Sequence, residues 1–394
     1  MIIIKRARVN KMIERRFKST LENVKYGSLF LTDPEGNCEY YEGSEPGPHA
    51  DIYIDDWLVV SNLAFKGDVG FANAHRNGLW ESTDLEELFR FAIRNEDGLK
   101  PFMRGTPFSR MIEQLGYFTR MNSVKGSRRN IYDHYDLGNA FYRLWLDPSM
   151  TYSSALFSKK GEALEQAQWN KYDRILDRIG DASGSILEIG CGWGGFAERA
   201  LQRKERPITG LTVSRAQQEY ADHRLNNAAN IQLKDYRHAN GVYDNIVSIE
   251  MFEAVGMAYW KQYFQQVANL LKRSGKALVQ SIVISEDRFE SYRKGSDVIR
   301  SYIFPGGMLP SDERFTNTAK QGGLQVHDRF AFGKDYATTL RTWLRRFDKA
   351  LPDIKSMGFD DSFIRLWRYY LASCAAGFQE ERINVIQYEL QHAR

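Results

Sequence analysis

An apolar run, Ile186-Leu187-Glu188-Ile189, leads straight into Gly190-Cys191-Gly192-Trp193-Gly194-Gly195. A buried strand ending in glycines at 190 and 192 lets its backbone approach a ligand closely, with a helix starting behind the loop. Such a turn serves several nucleotide-like ligands, NAD and FAD among them, and also occurs where a helix simply packs tightly on a strand. Two details discriminate. The spacing is G-x-G-x-G-G, not the G-x-G-x-x-G of a dinucleotide loop. The next strand ends Gly210-Leu211-Thr212-Val213-Ser214, with no Asp or Glu for a ribose hydroxyl. Carboxylates stand instead at Glu188, ahead of the glycines, and at Asp235 in Lys234-Asp235-Tyr236-Arg237. That set suits S-adenosylmethionine, whose sulfonium and amino groups attract carboxylates and whose adenine can stack on Tyr236. A second pair of acids lies in Glu250-Met251-Phe252-Glu253. Glu253 follows the carboxyl end of a parallel strand, where crevices open in such sheets, and is read as functional; Glu250 is read as structural.

Strands at 185–189, 208–213, 231–233, 245–249 and 276–283 alternate with helices at 196–203, 216–225 and 259–271. This alternation predicts an α/β fold, a parallel sheet with helices on both faces. Ahead of it, 26–97 reads as a small α+β unit, with strands at 28–31, 51–54 and 57–60 and a helix from Asp84 to Arg94 capped by Ser82 or Thr83. Residues 98–129, with Pro101, Gly105, Pro107 and a basic stretch at 125–129, form the connection, helical over 109–121. The domains are therefore expected at 1–125 and 126–394. The tail, 363–389, reads as a helix with one apolar face.

The 394 residues are 43% hydrophobic and 26% charged, enough for large cores. A net charge of +4 is too mild for a dedicated nucleic-acid binder. The positive charge is uneven: residues 1–25 hold eight Lys or Arg against two Glu, interleaved with Val9, Ile13, Phe17, Thr20 and Val24 at helical spacing. That is a basic amphipathic helix, suited to an anionic lipid interface or to packing on its own domain. Cys38, Cys191 and Cys374 share no metal-ligand spacing and build no disulfide framework, so no metal is expected and a reducing compartment is the default. No apolar run is long enough to span a bilayer. A cytoplasmic protein that touches the inner face of the membrane is the expectation.

Several further motifs give the chain a resemblance to the cyclopropane fatty acid synthase family of S-adenosylmethionine-dependent methyltransferases. They are Tyr132-Asp133-His134-Tyr135-Asp136-Leu137-Gly138-Asn139, Leu146-Asp147-Pro148-Ser149-Met150-Thr151-Tyr152-Ser153, the 190–195 loop, and Met251-Phe252-Glu253. Downstream come Tyr302-Ile303-Phe304-Pro305-Gly306-Gly307 and Asp335-Tyr336-Ala337-Thr338-Thr339-Leu340. The resemblance implies a Rossmann-like class I methyltransferase sheet behind a small N-terminal domain that helps engage membrane, and chains that often form homodimers. Tyr135, Glu188, Gly190, Gly192, Thr212, Gln217, Asp235 and Tyr236 would hold the cofactor.

The implied reaction starts from an unactivated alkene in a phospholipid acyl chain, which attacks the sulfonium methyl and is left as a carbocation. A dry pocket walled by aromatic faces tolerates that charge, and the chain's 52 Phe, Trp and Tyr residues make one plausible without locating it. Ring closure needs a base. In the family a bicarbonate, held by a Cys, a Glu, a His, a Tyr and a backbone group, is credited with that role. Carried over by motif, the Glu is Glu253, the Tyr is Tyr336 and the backbone donor is Ile282, but the Cys is Ser154 and the His is Gln280. Both replacements still donate hydrogen bonds to an oxyanion, yet neither can be a thiolate or an imidazolium, so anion affinity is expected to fall. The implied product is a cyclopropane fatty acid. Deprotonation elsewhere would leave a methyl- or methylene-branched chain, and N-methylation of a small amine is the rival outside lipid chemistry.

Overall fold

The computed structural model describes residues 2–103, 137–180, 184–295 and 297–393, with the side chains of 2–10 and 101–103 excepted. The expected helix at 109–121, the basic stretch at 125–129 and Tyr135 lie outside these residues. The chain divides into two compact units.

The first comprises Met1–Thr119, Lys294–Ile303 and Pro352–Glu380. Its sheet has β1 (Tyr26–Thr32), β2 (Cys38–Glu42), β3 (Glu45–Ile54) and β4 (Trp80–Glu81) in the order β2-β1-β3-β4, with β1 and β3 parallel. The strand expected at 57–60 is instead the start of the helix Leu58–Arg76. The Asp56 carboxylate accepts from Leu58 N–H at 2.8 Å, turning the backbone into a helix that the β-branched pair Val59 and Val60 alone does not suggest. The next helix, Leu85–Arg94, is capped by Asp84, which accepts from Glu87 N–H. Ser82 and Thr83 do not cap it, because their hydroxyls are spent on Asp51 across the sheet. The helix Asp361–Gln379 completes this core: Tyr369 meets Phe89 edge-on at 4.6 Å, and Glu380 just beyond it binds Arg90 and Arg94, each at 2.7 Å. In the helix Ile2–Leu21, Phe17 and Leu21 are buried and Lys18 pairs with Glu39, so the apolar face of its second half is used within this unit.

The second unit carries β5 (Ile186–Ile189), β6 (Ile208–Thr212), β7 (Asn230–Leu233), β8 (Tyr243–Ile249), β9 (Leu271–Ile284), β10 (Leu324–Ala331) and β11 (Ile383–His392). Their order is β10-β11-β9-β8-β5-β6-β7. All neighbours are parallel except that β11 runs antiparallel to both β9 and β10. Strand order reverses at β5, so a crevice opens at the carboxyl ends of β5 and β8. Beneath it Ile175, Ile186, Phe196, Ile208, Val247 and Leu278 form a core without exposed side chains beyond a few per cent.

The tail corrects the sequence reading. The helix stops at Gln379, Glu381 takes a positive φ of 56°, and 383–392 is a strand. Ile383, Val385, Ile386 and Tyr388 are β-branched or aromatic residues, and pairing on both edges outweighs continued helical periodicity. Leu390 has no exposed surface in β11. Leu390→Ala should lower the unfolding free energy by about 2–5 kcal/mol in urea titrations, whereas a frayed helix end at this position would barely respond.

Candidate active site

Gly190 and Gly192 follow β5 with φ of 83° and 52°, values that favour glycine. A Cβ at Gly192 would meet none of the described residues within 4 Å, so this side of the loop is open among them. Glu188, in β5, is 3% exposed, and its Oε2 has no hydrogen-bond partner among the described residues. Burial pushes its carboxyl well above the usual range, with the Lys171 charge pulling the other way. A buried carboxylate oxygen without a donor, beside an open glycine loop, fits the cationic end of S-adenosylmethionine. Thr212 and Gln217 meet at the end of β6, where the Thr212 hydroxyl donates to Gln217 Oε1 at 2.8 Å. Asp235 is engaged within its own turn: it accepts from Arg237 N–H and binds the Arg237 guanidinium at 2.6 Å. Burial would raise the Asp235 carboxyl, but those bonds hold it below the ordinary range. Tyr236 beside it is buried.

Across the crevice the acids behave differently from their sequence assignments. Glu250, read as structural, is where the expected anion-binding residues converge. Its Oε1 accepts from Ser154 N–H at 2.9 Å and from Gln280 Nε2 at 2.7 Å, and its Oε2 accepts from the Tyr336 hydroxyl at 2.6 Å. Its φ of 49° is strained for a side chain of this size, a cost usually met at functional positions. Glu253 accepts from Ile282 N–H, the backbone donor that the sequence reading assigned to an external anion, and its Oε2 has no hydrogen-bond partner among the described residues. Burial, then the neighbouring Glu250 charge, pushes the Glu253 carboxyl up to about 8.

The motif loop 146–154 delivers Ser154. Asp147 accepts from the N–H groups of Ser149 and Thr151, and Met150 adopts a φ of 55° to complete the turn. The helix Gly333–Lys349 then clamps the loop: Thr339 accepts from Ala155 N–H at 3.1 Å and Asp335 from Phe157 N–H at 2.9 Å. Tyr336 stands between these two residues on the same helix.

Sequence reasoning missed Lys171. It lies in the helix Leu164–Ile179 with no exposed surface and donates to Ser153 Oγ at 2.7 Å. Burial pushes its ammonium down to about 7, against the pull of Glu250, Asp147 and Glu188. The signal was present: Leu164, Ala167, Lys171 and Ile175 fall on one buried helical stripe, and a lysine on such a stripe requires charged company.

An aromatic wall joins the two sides. Trp193 of the glycine loop lies 5.2 Å from Tyr142 between ring centroids, Tyr142 lies 5.4 Å from Tyr152, and Tyr152 lies 5.4 Å from Trp343. Trp343 meets Tyr336 edge-on at 6.1 Å.

Strand order, open glycine loop and buried acids define a class I methyltransferase dependent on S-adenosylmethionine. Residues 122–388 match the family model described as mycolic acid cyclopropane synthetase. The chain is 35% identical over 378 residues to the tuberculostearic acid methyltransferase UfaA1 of Mycobacterium tuberculosis, covering 89% of this chain and 86% of that one. It is 32% identical over 352 residues to the cyclopropane-fatty-acyl-phospholipid synthase of Escherichia coli, covering 88% of each. Among solved structures, the mycolic acid cyclopropane synthase CmaA1 complexed with SAH and CTAB superposes with a TM-score of 0.63 at 28% identity, over 67% of this chain and 98% of that one. The chain belongs to the mycolic acid cyclopropane synthetase family.

The raised Glu253 carboxyl gives a signed pH dependence. Between its ordinary value of 4.5 and about 8 the folded protein keeps a proton that the unfolded chain has lost. Its contribution to stability therefore falls as pH rises through that window. Glu253→Gln removes the titration, so melting curves should show the variant gaining on wild type from about pH 5 to about pH 8. Parallel profiles would count against the assignment.

Proposed function

We propose that the enzyme transfers the methyl group of S-adenosylmethionine to the double bond of an unsaturated phospholipid acyl chain and closes a cyclopropane there. The carrying observation is the aromatic wall that runs from Trp193 in the glycine loop to Tyr336 and ends on the buried carboxylates. Bound S-adenosylmethionine would supply an electrophilic methyl group. An alkene that takes it becomes positively charged at carbon, and ring faces in a site without water stabilise such charge by electrostatic attraction. A lone-pair nucleophile such as an amine would need no wall of this extent.

The glycine loop would cradle the cofactor through Gly190 and Gly192, with Glu188 facing its cationic end. Thr212, Gln217, Asp235 and Tyr236 would hold the nucleoside, with Tyr135 completing the set. Glu253, fixed by Ile282 N–H, would orient groups at the reacting carbons. The lipid is reached from the cytoplasmic face of the membrane: the helix Ile2–Leu21 has no acidic residue in its first turn, and Phe30 and Tyr40 pair across β1 and β2 with exposed rings. No helix among the described residues is long and apolar enough to cross a membrane.

A second reading within the same chemistry is transfer without ring closure, leaving a methyl- or methylene-branched chain. The replacements Ser154 and Gln280, together with the likeness to a tuberculostearic acid methyltransferase, favour keeping it.

Purified protein incubated with methyl-labelled S-adenosylmethionine and vesicles of unsaturated phospholipid should place label in the acyl chains, and none in vesicles of saturated chains. Proton NMR separates the products, upfield for a cyclopropane and vinylic for a methylene branch. Glu188→Ala should weaken cofactor binding about tenfold or more in calorimetry, the loss of a charge-assisted contact. Label in a soluble amine and none in lipid would overturn the proposal.

A further inference from the structure

The hydrogen bonds around Glu250 have a fixed direction. Arg174 can only donate, and its Nη1 lies 2.7 Å from Gln387 Oε1. That bond orients the Gln387 amide, so its Nε2 donates to Gln280 Oε1 at 3.0 Å. Gln280 is oriented in turn, and its Nε2 donates to Glu250 Oε1. Gln280 and Gln387 are directly paired across β9 and β11. The relay ends on an oxygen that must accept, and Ser154 N–H converges on the same atom. Tyr336 donates to the other oxygen. An ionised carboxylate offers about four lone-pair directions, and the three donors among the described residues leave one unfilled. Burial raises the Glu250 carboxyl, and the three donors together with the Lys171 charge draw it back.

Ser154, Gln280 and Tyr336 are the residues expected from sequence to hold an external anion, and here all three serve a carboxylate of the chain itself, Ser154 through its backbone N–H while its hydroxyl donates to Ala155 O. The seat for the anion is filled from within. Glu250 reaches that seat from a backbone of positive φ at the end of its strand.

We propose that the Glu250 carboxylate is this enzyme's own proton acceptor, a built-in replacement for bound bicarbonate. The proposal rests on the alkene-methylation reading above. After methyl transfer, a C–H bond of the new methyl group breaks and its electron pair forms the second ring bond to the cationic carbon. The proton passes to Glu250 and then to solvent, so the lipid gains one CH2 and one proton is released.

Glu250→Ala leaves a gap of carboxylate size with the three donors in place. Product formation should fall by about 100-fold or more, as for loss of a general base, and added formate should restore it in part. Nitrate, alike in shape and charge but negligible as a base, should not. Glu250→Gln should be as inactive and beyond rescue, because its amide fills the gap. Wild-type turnover should be unchanged in degassed buffer freed of bicarbonate. Independently of lipid, formate should raise the melting temperature of Glu250→Ala and not that of wild type. Bicarbonate-dependent wild-type turnover would overturn the proposal, and so would equal rescue by nitrate, which would mark a purely structural carboxylate. Failure of the acyl-chain reading looks different: wild-type lipid stays unlabelled while the formate-dependent rise in melting temperature of Glu250→Ala persists.

Discussion

Lys171 sits on the buried stripe of its helix, and an ammonium out of water has to be answered by charges close by. Asp147, Glu188 and Glu250 supply them from three different places: the motif loop 146–154, the central strand β5 and the end of β8. The arrangement sets both halves of the crevice in the field of one cation. Glu188 belongs to the glycine-loop side, Glu250 to the aromatic side, and Asp147 shapes the turn that carries Ser154 between them. Each carboxyl is pushed upward by burial and drawn back by the same lysine, so their charge states are coupled.

The fold makes this convergence feasible. Reversal of strand order at β5 brings the ends of β5 and β8 to one crevice, and a long side chain from the helix Leu164–Ile179 donates to Ser153 within electrostatic range of the acids there. The helix Gly333–Lys349 contributes differently. Asp335 and Thr339, one turn apart, accept from backbone N–H groups of the loop after Ser154, and Tyr336 is thereby aimed at Glu250. Sequence motifs that look like isolated signatures are the two sides of one clamp.

Much of this was legible in the residues. The parallel strands, the glycine loop and the family were readable because β-strand runs and glycine spacing are local properties. The strand β11 was not, because its pairing partners lie about a hundred residues away in β9 and nearer in β10, and local periodicity after the helix Asp361–Gln379 gave no break before Glu381. The same locality explains the helix at Leu58–Arg76, where an Asp56 turn overrode two valines. At the site, Ser154, Gln280 and Tyr336 were recognised as hydrogen-bond donors to an anion, but the anion was sought outside the chain. Glu250 was passed over because position along a strand does not reveal a positive φ. Motif residues recur in sequence, whereas the direction of a hydrogen-bond relay exists only once β9 and β11 are paired.

That relay gives the order of synthesis a part in the enzyme's activity. β11 inserts between β9 and β10, and it brings Gln387, the link from Arg174 to Gln280. A ribosome-bound chain that has completed the glycine loop, β8 and the aromatic wall still lacks the strand that orients the Gln280 amide toward Glu250. Long-range closure of this kind comes late in folding, since loop entropy must be overcome first. A nascent chain would thus carry a recognisable cofactor loop before the Gln280 amide is oriented toward Glu250.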